Sequence, residues 1–298
     1  MPATDPSPTK ETQTRASFRR VLVALDSSTA SGATLEIAAT LAAASACELS
    51  GLFVEDQDLL RLAGLPFARE VQLTKAMSRA LEPERLLQNL RAQAALAREA
   101  MARQAALHRV SWSFQVAQGR SEEAVLLAAA AGDIIAMARG FGPLAQVGRF
   151  SQRVRLIAAR APGPLLLAGE PAAAGRAGPV LLPYDASPAA EYGLEIATEF
   201  ACARQAPLEI LLLGDAAEHA SELEGRLRAA TGGRRLPGLR LWKPRDRAAA
   251  RRRLLEADRG LLVLAADAPW FTPELVEEIL ERARLPIVLQ TEVGAPAG

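Results

Sequence analysis

The chain carries one short pattern twice, near its N-terminus and again past its middle. In each copy an apolar run ends on an aspartate and a serine follows two residues later, at 21–28 and at 180–187. In the same register, the tetrapeptide Leu-Glu-Ile-Ala at 35–38 recurs at 194–197. A strand, an acidic turn and the start of a helix that repeat together indicate a tandem duplication of an α/β unit.

Both copies have the same order of predicted elements. An unbroken apolar run such as 21–25 is typical of a strand buried on both faces of a parallel sheet. Strands that alternate with helices imply right-handed crossovers. We therefore predict an α/β fold of two tandem Rossmann-like units, each a five-stranded parallel sheet flanked by helices. The predicted strands are 21–25, 49–54, 112–116, 134–137, 164–168, then 180–183, 208–213, 239–242, 261–264 and 287–290.

Composition places the domain boundaries. Residues 1–17 are rich in Pro, Thr and Ser and lack the apolar core of a secretory signal, which predicts a disordered tail on a cytoplasmic protein. The first predicted domain is 18–168, a Pro/Gly/Ala linker covers 169–177, and a shorter second domain is 178–292. The first unit also carries an apolar segment, 58–68, for which two interpretations stay open. It covers the ligand-binding edge as a lid, or it packs under the long helix predicted near 83–108.

Charge and cysteine content argue against several classes of function. The 35 basic residues balance 34 acidic ones, so no overall field favours nucleic acid or a membrane surface. No apolar run reaches the roughly 20 residues of a membrane-spanning helix. Cys47 and Cys202 favour buried free thiols over a redox pair. The sequence shows no metal-site spacing, nucleophile elbow or Walker loop, so we expect no catalytic residues and no metal.

Ligands of open parallel sheets bind outside the carboxyl ends of the strands, where the strand order reverses. Asp26 and Asp185 end the first strand of each unit at this edge, which we call the rim. Each carboxylate could bind a ribose or an adenine amine, or it could cap the following helix. Ser28 and Ser187 could also provide the cap and so leave the carboxylates available.

A second signal follows the fourth strand of the first unit. Gly140 and Gly142 precede a predicted helix that begins near Ser151. Glycines allow backbone N–H groups to approach a phosphate, and a helix N-terminus adds partial positive charge.

Together these features resemble the universal stress protein family, over nearly the whole chain after the tail and as two tandem copies. The resemblance implies the adenine nucleotide alpha hydrolase-like fold. Nucleotide-binding members carry Gly-x2-Gly-x9-Gly-Ser/Thr after strand four. Gly140 matches the second glycine and Ser151 the final position, whereas Phe150 replaces the third glycine. The first glycine is replaced by Met137, or by Ala138 if one residue is deleted.

The resemblance therefore implies a degenerate cofactor site in the first unit, formed by Asp26, Val54, Gly140, Gly142 and Ser151. We expect at most weak, adenine-led binding of ATP, ADP or AMP there, because Phe150 removes one backbone approach to the phosphates.

The second unit lacks the glycine loop. Its equivalent stretch, 267–273, contains no glycine, and we interpret Trp270 and Phe271 as core that fills the pocket rather than a base-stacking platform. A basic cluster follows the third strand and favours a solvated helix face over a nucleic-acid contact: Arg245, Arg247, Arg251, Arg252 and Arg253.

The expected function is a non-enzymatic stress-response or regulatory role with an unidentified protein partner. Two alternatives stay open: a nucleotide hydrolase or transferase that uses the same rim, and a ligand-free scaffold for protein partners. Family dimers also imply that the fifth strands, 164–168 and 287–290, pair within the chain, since pairing protects apolar edges. The chain would then be a monomer that imitates a dimer.

Overall fold

Ten strands form one sheet in the computed structural model, which describes residues 18–25, 30–65, 69–72, 77–80, 82–139, 141, 150–168, 178–218, 220–230 and 236–291. The predicted tail and linker lie outside these residues. The first unit contains β1 (Arg20–Leu25), α1 (Ala30–Ala44), β2 (Glu48–Asp56), α2 (Gln57–Ala63), β3 (Arg69–Gln72), β4 (Met77–Ala80), α3 (Pro83–His108), β5 (Trp112–Gly119), α4 (Ser121–Ala128), β6 (Asp133–Ala138), α5 (Phe150–Ala158) and β7 (Leu165–Ala168).

The second unit repeats this order in shorter form. It contains β8 (Val180–Tyr184), α6 (Pro188–Ala203), β9 (Leu208–Leu212), a 3-10 turn (Gly214–Ala217), α7 (Ala220–Ala230), β10 (Leu239–Trp242), α8 (Arg247–Glu256), β11 (Leu261–Ala265), α9 (Pro273–Arg282) and β12 (Ile287–Gln290).

The two units have identical strand order and join edge to edge. The sheet runs β10-β9-β8-β11-β12-β7-β6-β1-β2-β5, so each unit reads 3-2-1-4-5 in its own numbering. Pairing is parallel inside each unit and antiparallel where β7 meets β12, with Leu166 opposite Val288. The predicted pairing of the fifth strands is therefore confirmed. In each unit the order reverses between the first and fourth strands, β1 and β6 or β8 and β11, which fixes the rim at their carboxyl ends.

The central strands of the sheet are buried on both faces, because an apolar layer covers each face. Val21, Val23 and Leu25 of β1 face the layer that holds α1, α3, α6 and α7. Leu22 and Ala24 face the layer that holds α4, α5, α8 and α9. The alternation follows from the period of two along a strand. Both layers cross the join, so each unit contributes helices to a shared core.

Helices also meet across the join on both faces of the sheet. On one face α1 contacts α6, and the Ser45 hydroxyl donates to Oε1 of the buried Glu199 at 3.3 Å. On the other face α5 contacts α9. Next to β12, the Thr291 hydroxyl donates to the backbone oxygen of Ala158 at 3.0 Å. The units are thus held together by side chains as well as by strand pairing.

The apolar segment after β2 differs from the prediction. Its first part is helix α2, and the two-stranded hairpin β3–β4 that follows was not predicted. The main contacts of α2 are with α3 and β5, as the packing interpretation requires. Leu62 and Leu65 keep 42% and 39% of their surface exposed. Phe67 lies outside the described residues.

None of the helices in the described ranges is long and apolar enough to cross a membrane.

Candidate functional site

The rim of the second unit is closed by hydrogen bonds to Asp185, which directly follows β8. Its Oδ1 accepts from the backbone N–H and the hydroxyl of Ser187, at 3.1 and 2.6 Å. Its Oδ2 accepts from the backbone N–H of Trp270, across the reversal of strand order, at 3.1 Å. Ser187 in turn accepts from Ala190 N at 3.2 Å and caps α6. The serine is therefore the cap, and the carboxylate ties the β8 turn to the loop after β11.

Aromatic side chains fill the same rim. Phe271 is 8% exposed and meets Trp270 edge to face, with ring centroids 5.0 Å apart. The guanidinium of Arg247 lies 4.8 Å from the Trp270 ring centroid and donates to the Trp270 backbone oxygen. A cation over the face of an indole stabilises that ring position. The interpretation of these aromatic residues as packing rather than a stacking platform fits this geometry.

In the first unit, three of the five predicted site residues, Asp26, Gly140 and Gly142, lie outside the described residues. Val54 is buried and lies one position beyond the last residue of β2 that pairs with β1, Phe53 opposite Leu25. Its backbone is therefore at the carboxyl end of the sheet, next to the reversal of strand order between β1 and β6.

Ser151, the fifth predicted residue, lies in the first turn of α5 and is completely buried. Its backbone N–H donates to Oε1 of Glu281, on the second unit, at 2.9 Å. An N–H in the first turn has no partner within its own helix and attracts negative charge. A carboxylate from α9 therefore already satisfies the amide that the resemblance assigns to a phosphate.

The start of the glycine-containing segment is anchored at Arg139 and Phe141, on either side of Gly140. Phe141 is 5% exposed and packs in the core, and its backbone oxygen accepts from Arg153 at 3.4 Å. Arg139 reaches the second unit, where its two terminal nitrogens donate to the backbone oxygens of Leu280 and Leu285 at 3.0 and 2.9 Å. Carbonyl groups at a helix C-terminus attract cations. Arg139 thus joins the units instead of facing a ligand from this loop.

A buried carboxylate organises the outer part of the first rim. Asp56 ends β2, and its Oδ1 accepts from the backbone N–H groups of Asp58 and Leu59, which caps α2. Its Oδ2 accepts from the hydroxyl of Ser121 at 2.6 Å. Ser121 is the first residue of α4, and its hydroxyl is engaged by Asp56 rather than by the backbone of its own helix. Because Asp56 and Ser121 are far apart in sequence, no local pattern could reveal this contact.

The titratable groups in the described ranges give no sign of a metal site. None of them forms a His/Cys/Asp/Glu cluster that could hold a metal ion. Cys47 and Cys202 are buried, as predicted, and are not joined by a disulfide. Burial raises the pKa of the Cys47 thiol from 9.0 to about 11, so the thiolate form is disfavoured at neutral pH. His219 lies outside the described residues.

Two tandem α/β units with the same strand order, joined edge to edge, define the fold class. No family model matches the sequence, and no curated protein matches it. A universal stress protein from Archaeoglobus fulgidus DSM 4304 superposes with a TM-score of 0.58 at 15% identity, covering 91% of this chain and 98% of that chain.

Two further solved structures cover nearly the whole chain. A functionally unknown protein from Pseudomonas aeruginosa PAO1 has a TM-score of 0.54 at 15% identity and covers 93% of this chain and 94% of that one. The cytoplasmic domain of a prokaryotic cation chloride cotransporter has a TM-score of 0.51 at 16% identity, covering 94% and 97%. These likenesses establish the fold, and they confirm at the level of fold the resemblance seen in the sequence.

Proposed function

We propose that this chain is a non-enzymatic regulatory protein of the universal stress type that senses an adenine nucleotide through the first unit alone. The observation that carries the proposal is the closed rim of the second unit. In the second unit, the hydrogen bonds of Asp185 and the packing of Phe271 fill the position of a ligand. In the first unit Val54 lies at the carboxyl end of β2, and the sequence there carries Gly140 and Gly142, which the structure does not describe.

We expect the site to bind nucleotides weakly, with most of the affinity provided by the adenosine part. The N–H of Ser151 is bonded to Glu281, so an incoming phosphate must displace a carboxylate. Phe150 stands where the family resemblance implies a glycine. Both features lower the affinity for the phosphate chain and leave the contacts to adenine and ribose, which the proposal assigns to Asp26 and the end of β2.

The absence of an enzymatic role belongs to the same proposal. The described residues contain no His/Cys/Asp/Glu cluster that could hold a catalytic metal ion. Signalling would then depend on a partner protein that responds to the liganded state of the first unit.

A thermal-shift panel with ATP, ADP, AMP and cyclic dinucleotides, combined with an assay for ATP hydrolysis, tests the proposal. We expect similar small increases in melting temperature for the three adenosine nucleotides and no hydrolysis above background. Turnover of ATP by the intact chain would favour the enzyme alternative. The absence of any shift would favour a ligand-free scaffold, for which the continuous ten-stranded sheet is the supporting observation.

A further inference from the structure

A groove separates α8 and α9 on the outer face of the second unit. Its volume is about 740 Å³, within the usual range for small-molecule sites. Glu256 is the one carboxylate in its lining. Four arginines line it as well: Arg251, Arg252, Arg282 and Arg284. The groove lies on the helices, away from the rim, and the nucleotide site proposed above makes no use of it.

Two of the arginines are held in place by a shared carboxylate. Arg251 forms a two-pronged contact with Glu278, in which Nε donates to Oε2 at 2.6 Å. Arg282 donates to Oε1 of the same carboxylate at 2.8 Å. These hydrogen bonds lower the pKa of Glu278, so the pairing persists in mildly acidic solution. Guanidinium groups that are already oriented lose less freedom when an anion binds.

Glu256 is the one carboxylate beside the other two arginines in the groove, and these two form no ion pair in the part of the chain that the structure describes. Arg252 and Arg284 are exposed and form no ion pair or side-chain hydrogen bond there. Like charges that line one groove repel each other. An anion between α8 and α9 would remove that repulsion.

The lining favours one kind of anion. Guanidinium forks match the oxygens of phosphate groups, and several forks along one groove suit several phosphates. The lining contains no aromatic side chain on which a base could stack, and its apolar members are Ala248 and Leu255, too few to anchor a peptide. We propose that the groove binds an oligophosphate, either an inorganic chain or the phosphate chain of a nucleotide.

Titration calorimetry with inorganic tripolyphosphate on the full chain tests this proposal. The test variant is Arg252→Ala/Arg284→Ala, which leaves the contacts of Glu278 intact. The matched control is Arg160→Ala/Arg240→Ala, which removes two exposed arginines outside the groove. We expect binding by the wild type and the control, weakening as salt increases, and a dissociation constant raised about tenfold or more in the test variant. Melting curves without ligand verify that both variants fold.

ATP binding to the Asp26→Asn variant, in which the proposed nucleotide site is removed, distinguishes an inorganic phosphate chain from the phosphate chain of a nucleotide. If ATP still binds that variant and loses its affinity on the further change of Arg252 and Arg284, the groove accepts nucleotide phosphates. If only tripolyphosphate binds there, the ligand is an inorganic chain. No tripolyphosphate binding by the wild type, or an equal loss in the test and control variants, would overturn the proposal. Neither result bears on the nucleotide site, which depends on Asp26.

Discussion

The backbone N–H of Trp270 donates to the carboxylate of Asp185 at 3.1 Å, across the reversal of strand order in the second unit. This bond joins the turn after β8 to the loop after β11, at the place where proteins of this fold class open toward a ligand. The repeated Asp-x-Ser pattern therefore serves a structural purpose in the second copy. In the second unit this position is therefore occupied by the protein itself.

Replacing Asp185 with alanine should destabilise the protein. The change removes the acceptor of three hydrogen bonds, from Ser187 and Trp270, and we expect the free energy of unfolding to fall by about 1–3 kcal/mol. Denaturant titration followed by far-UV circular dichroism measures the loss. Asp215→Ala, an exposed carboxylate in the same unit, is the matched control and should stay within about 0.5 kcal/mol of the wild type. Equal stability of the two variants would contradict a structural role for Asp185.

Removing the carboxylate of Glu281 should improve binding of the phosphate chain. In Glu281→Ala the N–H of Ser151 loses its partner, so the affinity for ATP relative to AMP should rise by up to about tenfold. Glu277→Ala is the control, because Glu277 contacts Arg155 in the same helix pair without reaching the start of α5. Competition binding with ATP and AMP provides the ratio. An unchanged ratio in Glu281→Ala would show that this amide does not face a phosphate.

Arg139→Ala should weaken the join between the units. The guanidinium supplies hydrogen bonds to the backbone oxygens of Leu280 in α9 and of Leu285 just after that helix. Their loss should reduce the free energy of unfolding by about 1–3 kcal/mol. Arg160→Ala removes an exposed arginine from the first unit and serves as the control. A destabilisation no larger than that of the control would mean that the contact contributes little.

The buried thiol of Cys47 should make stability depend on alkaline pH. Its pKa in the folded state, about 11, exceeds the ordinary value of 9.0, so the unfolded chain loses the proton first. Stability should therefore decrease between about pH 9 and pH 11, by at most about 1.4 kcal/mol for each pH unit. Cys47→Ala lacks this contribution, so the difference in stability between wild type and variant should shift in favour of the variant as pH rises. Denaturant titrations at several pH values measure it, and a constant difference would contradict the predicted burial effect.

The fold could be predicted because an apolar run in the local sequence marks each central strand, and because the pattern occurs twice. A run such as 21–25 is apolar throughout, and β1 is buried almost completely in the structure. The hairpin β3–β4 was missed because its strands are short and show no continuous apolar run. Helix α2 was not predicted inside the apolar segment 58–68, although its cap, Asp56, acts through the neighbouring backbone N–H groups of Asp58 and Leu59. The contact of Asp56 with Ser121 could not be predicted, because it joins distant parts of the chain.

The site was less predictable because its decisive contacts join distant parts of the chain. Asp185 alone allowed either a ligand contact or a cap, and the partner that decides between them, Trp270, lies on another loop. Glu281 gave no sequence signal, since it faces Ser151 only after the two units pair through β7 and β12. The assignment of Asp26, Gly140 and Gly142 to a nucleotide stays a prediction.

Titration calorimetry of AMP with the intact chain and a pair of equivalent variants tests the central claim most directly. Asp26→Asn and Asp185→Asn make the same chemical change at matching positions of the two units. The account predicts one AMP site per chain, lost in Asp26→Asn and retained in Asp185→Asn with little change in affinity. Two sites per chain, or loss of binding in Asp185→Asn with retention in Asp26→Asn, would contradict it.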